Sequence, residues 1–198
     1  MKTYCKGSNP GDSNLECVDH TRMCRGKNIY FDFKNLGALN SNDRYREDTF
    51  KPGQVGGRCK FNSLDFFKQG THKSPLQSWY SELQTFREFK NPVNEEICDK
   101  YITEPVILIK LDAGVNMYHH FCDFVNLYLT QHANNKFFQN VRIVYWDTSS
   151  SSYWSFFSDM WKVFSNKKPI QLKEYEGKRV NILRFFNDSL IGLFLKEV

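Results

Sequence analysis

The sequence predicts an α/β protein built around a Rossmann-like parallel sheet. Residues 106–111 (Val-Ile-Leu-Ile-Lys-Leu), 141–146 (Val-Arg-Ile-Val-Tyr-Trp) and 169–173 (Pro-Ile-Gln-Leu-Lys) are short, largely apolar runs with β-branched residues, as expected of buried strands. Between them lie two stretches of helical periodicity, at 117–133 and 153–164. A β-α-β-α-β order calls for parallel strands joined by right-handed crossovers, which is half of a doubly wound fold.

Taken in order, residues 1–28 are polar and rich in Gly, Ser, Asn and Cys, and read as an irregular segment. Residues 28–33 alternate and read as a strand, and 40–44 (Asn-Ser-Asn-Asp-Arg) read as a loop. Residues 52–57 (Pro-Gly-Gln-Val-Gly-Gly) match neither dinucleotide nor P-loop fingerprints and read as a flexible turn. Ser74-Pro75 has the form of a helix start, and Leu76, Trp79, Tyr80, Leu83 and Phe86 follow at helical spacing, so a helix is expected over 74–90. After the 106–111 strand, Asp112-Ala113-Gly114 turns the chain into the 117–133 helix. On it, Tyr118, Cys122, Val125 and Leu129 are expected to face the sheet. Asn134-Asn135-Lys136 is a turn, and the Ser-rich stretch 147–153 is a polar loop at a strand's carboxyl end, beside the Asp112–His119 turn. Residues 181–198 are very apolar with no evident next element to bury them, and Asn187-Asp188-Ser189 has the form of a glycosylation sequon.

With 198 residues the chain is long enough to bury a core, and 18 Phe and 10 Tyr need one, which excludes general disorder. The formal charge of +5 is mild and forms no basic block, which argues against nucleic-acid binding. No apolar run approaches the ~18 residues of a membrane-spanning helix. Cys5, Cys17, Cys24, Cys59, Cys98 and Cys122 match no zinc spacing. An even count fits a disulfide-bearing lumenal protein, with six unpaired cytosolic thiols as the alternative. Cys5, Cys17 and Cys24 are the better disulfide candidates, with Cys59 and Cys98 as partners, and Cys122 is expected buried and unpaired on its helix.

The chemistry-bearing candidates lie on the 117–133 helix. His119, Asp123, Asn126 and Thr130 share one face, and the helix follows a strand, where open α/β sheets place their sites. The bland alternative is a solvated polar stripe with an ordinary i, i+4 surface pair.

Several long strings carry a specific resemblance: 73–79 (Lys-Ser-Pro-Leu-Gln-Ser-Trp), 110–123, 146–150 (Trp-Asp-Thr-Ser-Ser) and 157–161 (Phe-Ser-Asp-Met-Trp). Together with Glu47-Asp48, 56–59 (Gly-Gly-Arg-Cys) and the Cys5, Cys17, Cys24 spacing, they make residues 5–180 similar to the EGF-domain-specific O-linked N-acetylglucosaminyltransferases. A wider family, with plant xylosyl- and arabinosyltransferases, has a loose signature N-x-x-H-x-F-x-D, which falls here on Asn116, His119, Phe121 and Asp123.

The resemblance implies an inverting glycosyltransferase of the two-Rossmann (GT-B) type, acting in the endoplasmic reticulum lumen. It would move N-acetylglucosamine from UDP-GlcNAc to a Ser or Thr of a folded EGF-like repeat, with no metal or other cofactor implied. His119 is then the general base and Asp123 its orienter, or the reverse, with His120 the next choice. Measured against the family, the chain is expected to be an incomplete, amino-terminal-half form without leader, retention signal or donor site. The family's acidic Asp-Tyr-Asp motif aligns with Asn166-Lys167-Lys168, and the match is expected to stop near Asn181. On that reading residues 1–101 form a Cys-containing region with the 74–90 helix, 102–180 the Rossmann-like half-domain, and 181–198 a divergent tail. The competing reading is an inactive product that binds EGF-like domains or has no function of its own.

Overall fold

The computed structural model describes residues 1–37, 40–70, 74–91, 96–112, 116–133, 139–151 and 157–188, without the side chains of 130, 133 and 186–188. In chain order the elements are β1 (Lys2–Lys6), β2 (Asn14–Cys17), β3 (Met23–Asp32), β4 (Val55–Gly57), β5 (Lys60–Phe61), α1 (Ser63–Phe67), α2 (Tyr80–Leu83) and β6 (Phe86–Glu88). They continue as β7 (Lys100–Ile109), α3 (Met117–Ala133), β8 (Arg142–Tyr145), α4 (Trp161–Phe164), β9 (Ile170–Gln171) and β10 (Arg179–Asp188).

All ten strands join one mixed sheet, in the order β5-β1-β2-β3-β10-β7-β8-β9, with β4 on β3 and β6 on β4. From β10 to β9 the pairs are parallel, and from β5 to β10 they are antiparallel. The parallel part runs outward from β7 through β8 to β9, then reverses to place β10 on β7's other edge. This mixed α/β arrangement is compatible with a Rossmann-like half-domain, and the reversal makes the β7/β10 seam its topological switch point.

Alternation along the strands explains why the parallel part reads as continuous apolar runs. Ile107, Ile109, Ile143 and Tyr145 pack with Phe124 and Leu127 of α3 and Trp161 and Phe164 of α4. The intervening Val106, Leu108, Val144 and Trp146 pack with Ile29, Phe31, Val180 and Phe185. Both faces are covered, so neither needs a polar stripe.

Several expectations give way. The expected parallel sheet is mixed. The expected boundary after residue 101 falls inside β7, and the tail expected from Asn181 begins inside β10, a central strand. The reason is the open edge of β7: the apolar residues that lacked a partner in sequence pair with it for eight positions, and with β3 for nine. At Phe185, β3 supplies Gly26 opposite, and a Cβ there would lie 2.1 Å from the Phe185 ring.

Residues 1–28, expected irregular, form β1, β2 and most of β3, stapled by Cys5–Cys59 and Cys17–Cys24. Cys98 and Cys122 are unbridged. The turn expected to be flexible at 52–57 contains β4, whose three residues are buried. Its glycines answer to close approach, since a Cβ at Gly57 would strike the Ser13 hydroxyl.

The helix expected over 74–90 is broken. A 3₁₀ turn at Pro75–Gln77 and α2 flank an extended Ser78 (φ −150°, ψ 151°), and β6 follows. The cause is tertiary. The Trp79 N–H, which a continuous helix would give to the Pro75 carbonyl, donates instead to the Thr21 carbonyl at 3.0 Å, and the carbonyls of Pro75 and Ser78 accept from the Lys110 ammonium at 2.5 and 2.8 Å. In the second expected helix only a 3₁₀ turn, Ser158–Met160, and α4 are described, and residues 152–156 lie outside the described residues. The same holds for the turns at 113–114 and 134–136 and for Ser189 of the sequon. The 3₁₀ turn Leu172–Tyr175 takes over the end of the third expected strand.

Candidate active site

The 117–133 helix forms as expected, and Asn116 starts it. Its side-chain Oδ1 accepts from the backbone N–H of Tyr118 at 3.0 Å and of His119 at 3.4 Å, which is an N-cap. Asn116 is therefore seen in a positioning role for the helix's first turn.

The phase of α3 differs from expectation. The side chains facing inward are His120, Asp123, Phe124, Asn126, Leu127 and Gln131, while Tyr118 is exposed and Cys122 half-buried. α3 carries apolar residues on both sides, Met117 and Phe121 being exposed, so periodicity alone could not choose. The aromatic wall of Phe157 and Trp161 chooses instead. His120 packs edge-on to Phe157 at 5.1 Å and stacks on Phe124 at 5.3 Å, 1% exposed. That location buries the His120 ring among aromatic side chains.

His119 stands at the mouth, its side chain 38% exposed, and its Nδ1 is paired with the Asp112 carboxylate. Asp112 lies just beyond the carboxyl end of β7, at the seam with β10, whose Asp188 pairs with Ile109. The expected orienter, Asp123, is on the same helix and buried, but the carboxylate on Nδ1 is Asp112. Thr130, the last of the expected polar face, has no described side chain. Sequence reading passed over Asp112 as a turn residue. The available signal was a carboxylate at a strand's carboxyl end, seven residues before a histidine.

The pairing has a chemical consequence. With Nδ1–H donated to a carboxylate, a neutral imidazole leaves its lone pair on Nε2, the nitrogen that can accept a proton. The site's polar surroundings continue along the strand ends. Arg44 reaches the Asp112 carbonyl with Nη1 at 3.4 Å and the Asp147 carboxylate with Nε at 3.6 Å. Through Arg44 the described part of the Ser-rich loop after β8, residues 147–151, is linked to Asp112. It borders a polar cleft of about 210 Å³ lined by Arg46, Asp147, Ser149, Ser150 and Lys173 among others. Among the described residues no group of three His, Cys, Asp or Glu could hold a metal ion, and no helix is long and apolar enough to cross a membrane. Where the Asp-Tyr-Asp motif was expected to be replaced, Lys167 pairs with Glu104, which Arg142 also binds at 3.0 Å.

No protein-family model matches the chain. It is similar to curated proteins called EGF domain-specific O-linked N-acetylglucosamine transferase. That of chicken (Gallus gallus) is 49% identical over 181 residues, and that of dog (Canis lupus familiaris) 48% over 181, each covering 91% of this chain and 34% of the relative. That of the frog Xenopus laevis is 43% identical over 190 residues, 96% of this chain and 35% of the relative. The chicken and dog matches, of 181 residues, are compatible with the stop expected near Asn181, whereas the frog match, of 190 residues in a chain of 198, runs past it. The chain spans about a third of the length of the curated relatives it matches, and over nine-tenths of its own length it is similar to the EGF domain-specific O-linked N-acetylglucosamine transferases.

Proposed function

We propose that this chain supplies the acceptor-activating domain of an inverting protein glycosyltransferase of two-Rossmann (GT-B) architecture. The donor is UDP-GlcNAc and the acceptor a Ser or Thr hydroxyl on a folded EGF-like domain. In the reaction the hydroxyl oxygen attacks the anomeric carbon, the bond from that carbon to the diphosphate oxygen breaks, and UDP leaves. His119 takes the hydroxyl proton on Nε2, and Asp112 holds Nδ1 and stabilises the imidazolium that forms. Asn116 holds the first turn of α3, and with it the backbone of His119. Asp123, buried on the same helix, is the alternative orienter. The reaction belongs in the endoplasmic reticulum lumen, a compartment that suits the two disulfides.

One observation carries the reading. A solvent-facing histidine is bonded to a carboxylate at the sheet's switch point, in a chain 49% identical over 181 residues to the chicken EGF domain-specific O-linked N-acetylglucosamine transferase. The test is transfer to a folded EGF repeat by a chimera in which this chain replaces the matching third of the chicken protein. Transfer is expected with His119 present, and His119→Ala should lower turnover about 10²–10⁴-fold. Near-normal turnover by a folded His119→Ala chimera would place the base elsewhere.

A further inference from the structure

Beyond Ile109 the chain leaves the ladder, yet three consecutive residues, Lys110, Leu111 and Asp112, are each held from outside the sheet. The Lys110 ammonium, with no exposed surface, is bound by Glu82 at 2.7 Å and by the carbonyls of Pro75 and Ser78. The Leu111 carbonyl accepts from the Tyr45 hydroxyl. The Asp112 carbonyl accepts from Arg44 Nη1. Two of these three grips come from neighbouring residues of one segment, 44–45.

That segment is itself tied down. Thr148 N–H donates to the Arg44 carbonyl at 2.8 Å, and the Thr148 hydroxyl lies between the Asp43 and Arg44 carbonyls at 3.1 and 3.0 Å. The Arg46 N–H donates back to the same hydroxyl at 3.0 Å, and Ser150 N–H donates to the Ser41 carbonyl at 2.8 Å. Residues 41–46 thus form a strap across the carboxyl ends of β7 and β8, fastened to the loop after β8 and gripping the strand end that carries Asp112.

The geometry points to Tyr45 and Arg44 as positioning residues for the Asp112–His119 pair, an inference that rests on the proposed role of that pair. A carboxylate–imidazole contact tolerates only a few tenths of an ångström before it lengthens out of hydrogen-bond range. On the His119 side the backbone is fixed by the Asn116 cap. On the Asp112 side it is fixed by the strap. Both side chains bind backbone carbonyls of this strand end, so their effect passes through Asp112.

The test uses the 198-residue chain itself and reads the ring nitrogens of His119 in long-range ¹H–¹⁵N spectra. The unsubstituted chain should show one neutral tautomer, protonated on Nδ1. Tyr45→Phe removes a single oxygen and keeps the ring that packs on the core. It should leave the melting temperature nearly unchanged and turn the His119 signals into those of a mixture of tautomers. Arg44→Gln should do the same. Tyr175→Phe, which alters a buried phenol elsewhere in the core, should leave His119 untouched. If His119 keeps its Nδ1-protonated signals in both Tyr45→Phe and Arg44→Gln, or never shows them, the strap does not position the pair. Failure of the base reading looks different: the tautomer would respond to the strap while His119→Ala retained transfer.

Discussion

At Lys110 an ammonium lies between Glu82 and two backbone carbonyls, 4.6 Å from the centre of the Trp79 ring. Burial pushes the Glu82 carboxyl up and the Lys110 ammonium down, and their contact opposes both shifts. Removing one partner strands a buried charge, which costs about 3–5 kcal/mol. Glu82→Gln should therefore lower the urea-derived stability by roughly that amount, and Lys110→Met combined with Glu82→Leu should recover most of it. A Glu82→Gln chain as stable as the original would mean that the pair is not buried as described. The two unbridged cysteines differ just as clearly. Burial, the largest cause, pushes the Cys98 thiol up to about 11, so it should resist iodoacetamide at pH 8 in the folded chain, while half-buried Cys122 reacts. Equal rates would contradict the packing around Cys98. At this scale the sequence made His119 legible, because a strand, a turn and a helix put it at a strand's carboxyl end. Asp112 was not legible as its partner, since no local pattern pairs a residue just past a strand with one on the first turn of the next helix, and Lys110 was visible only as one charge inside an apolar run.

β7, α3 and β8 were legible as elements because their patterns are local: β-branched runs for the strands, and a 17-residue periodic stretch for the helix. What failed was decided by partners distant in sequence. The 74–90 segment has good helical spacing, but its backbone groups are bound by Thr21 and Lys110, both distant in sequence. The face of α3 depends on aromatic residues some forty positions later. β10 was misjudged because its apolar residues have no meaning until β3 and β7 flank them. Two results would bear on β10. Amides of 180–185 should be among the slowest to exchange in the chain, as expected of a strand paired on both sides. Phe185→Ala should cost about 3–5 kcal/mol, and Gly26→Val should also destabilise, because any side chain at that position meets the Phe185 ring. Rapid exchange across 180–185 would return this stretch to the status of a loose tail.

Over the whole molecule, β10 makes one sheet of what the sequence divides into a Cys-rich region and a half-domain, and burial in the core packed around it shifts several titrating groups. Burial, the largest cause in each case, pushes the Tyr30 and Tyr175 phenols up to about 12. The folded chain keeps these protons at pH values where the unfolded chain gives them up, so alkali favours unfolding. Stability present below pH 10 should be lost as pH rises toward 12, with Cys98 adding a loss between 9 and 11. Tyr175→Phe should flatten that decline in urea midpoints measured against pH, and an unchanged decline would assign the loss to other groups. The central claim, though, concerns the pair at the switch point where that sheet changes direction. The measurement that tests it most directly is turnover of the chicken chimera carrying Asp112→Asn beside the one carrying Asp123→Asn, with acceptor affinity followed separately. If Asp112 orients His119, Asp112→Asn should lower turnover by orders of magnitude, toward the level of His119→Ala, with acceptor affinity kept, and Asp123→Asn should cost clearly less. A large loss for Asp123→Asn with Asp112→Asn close to normal would contradict the account and return the role to the buried carboxylate.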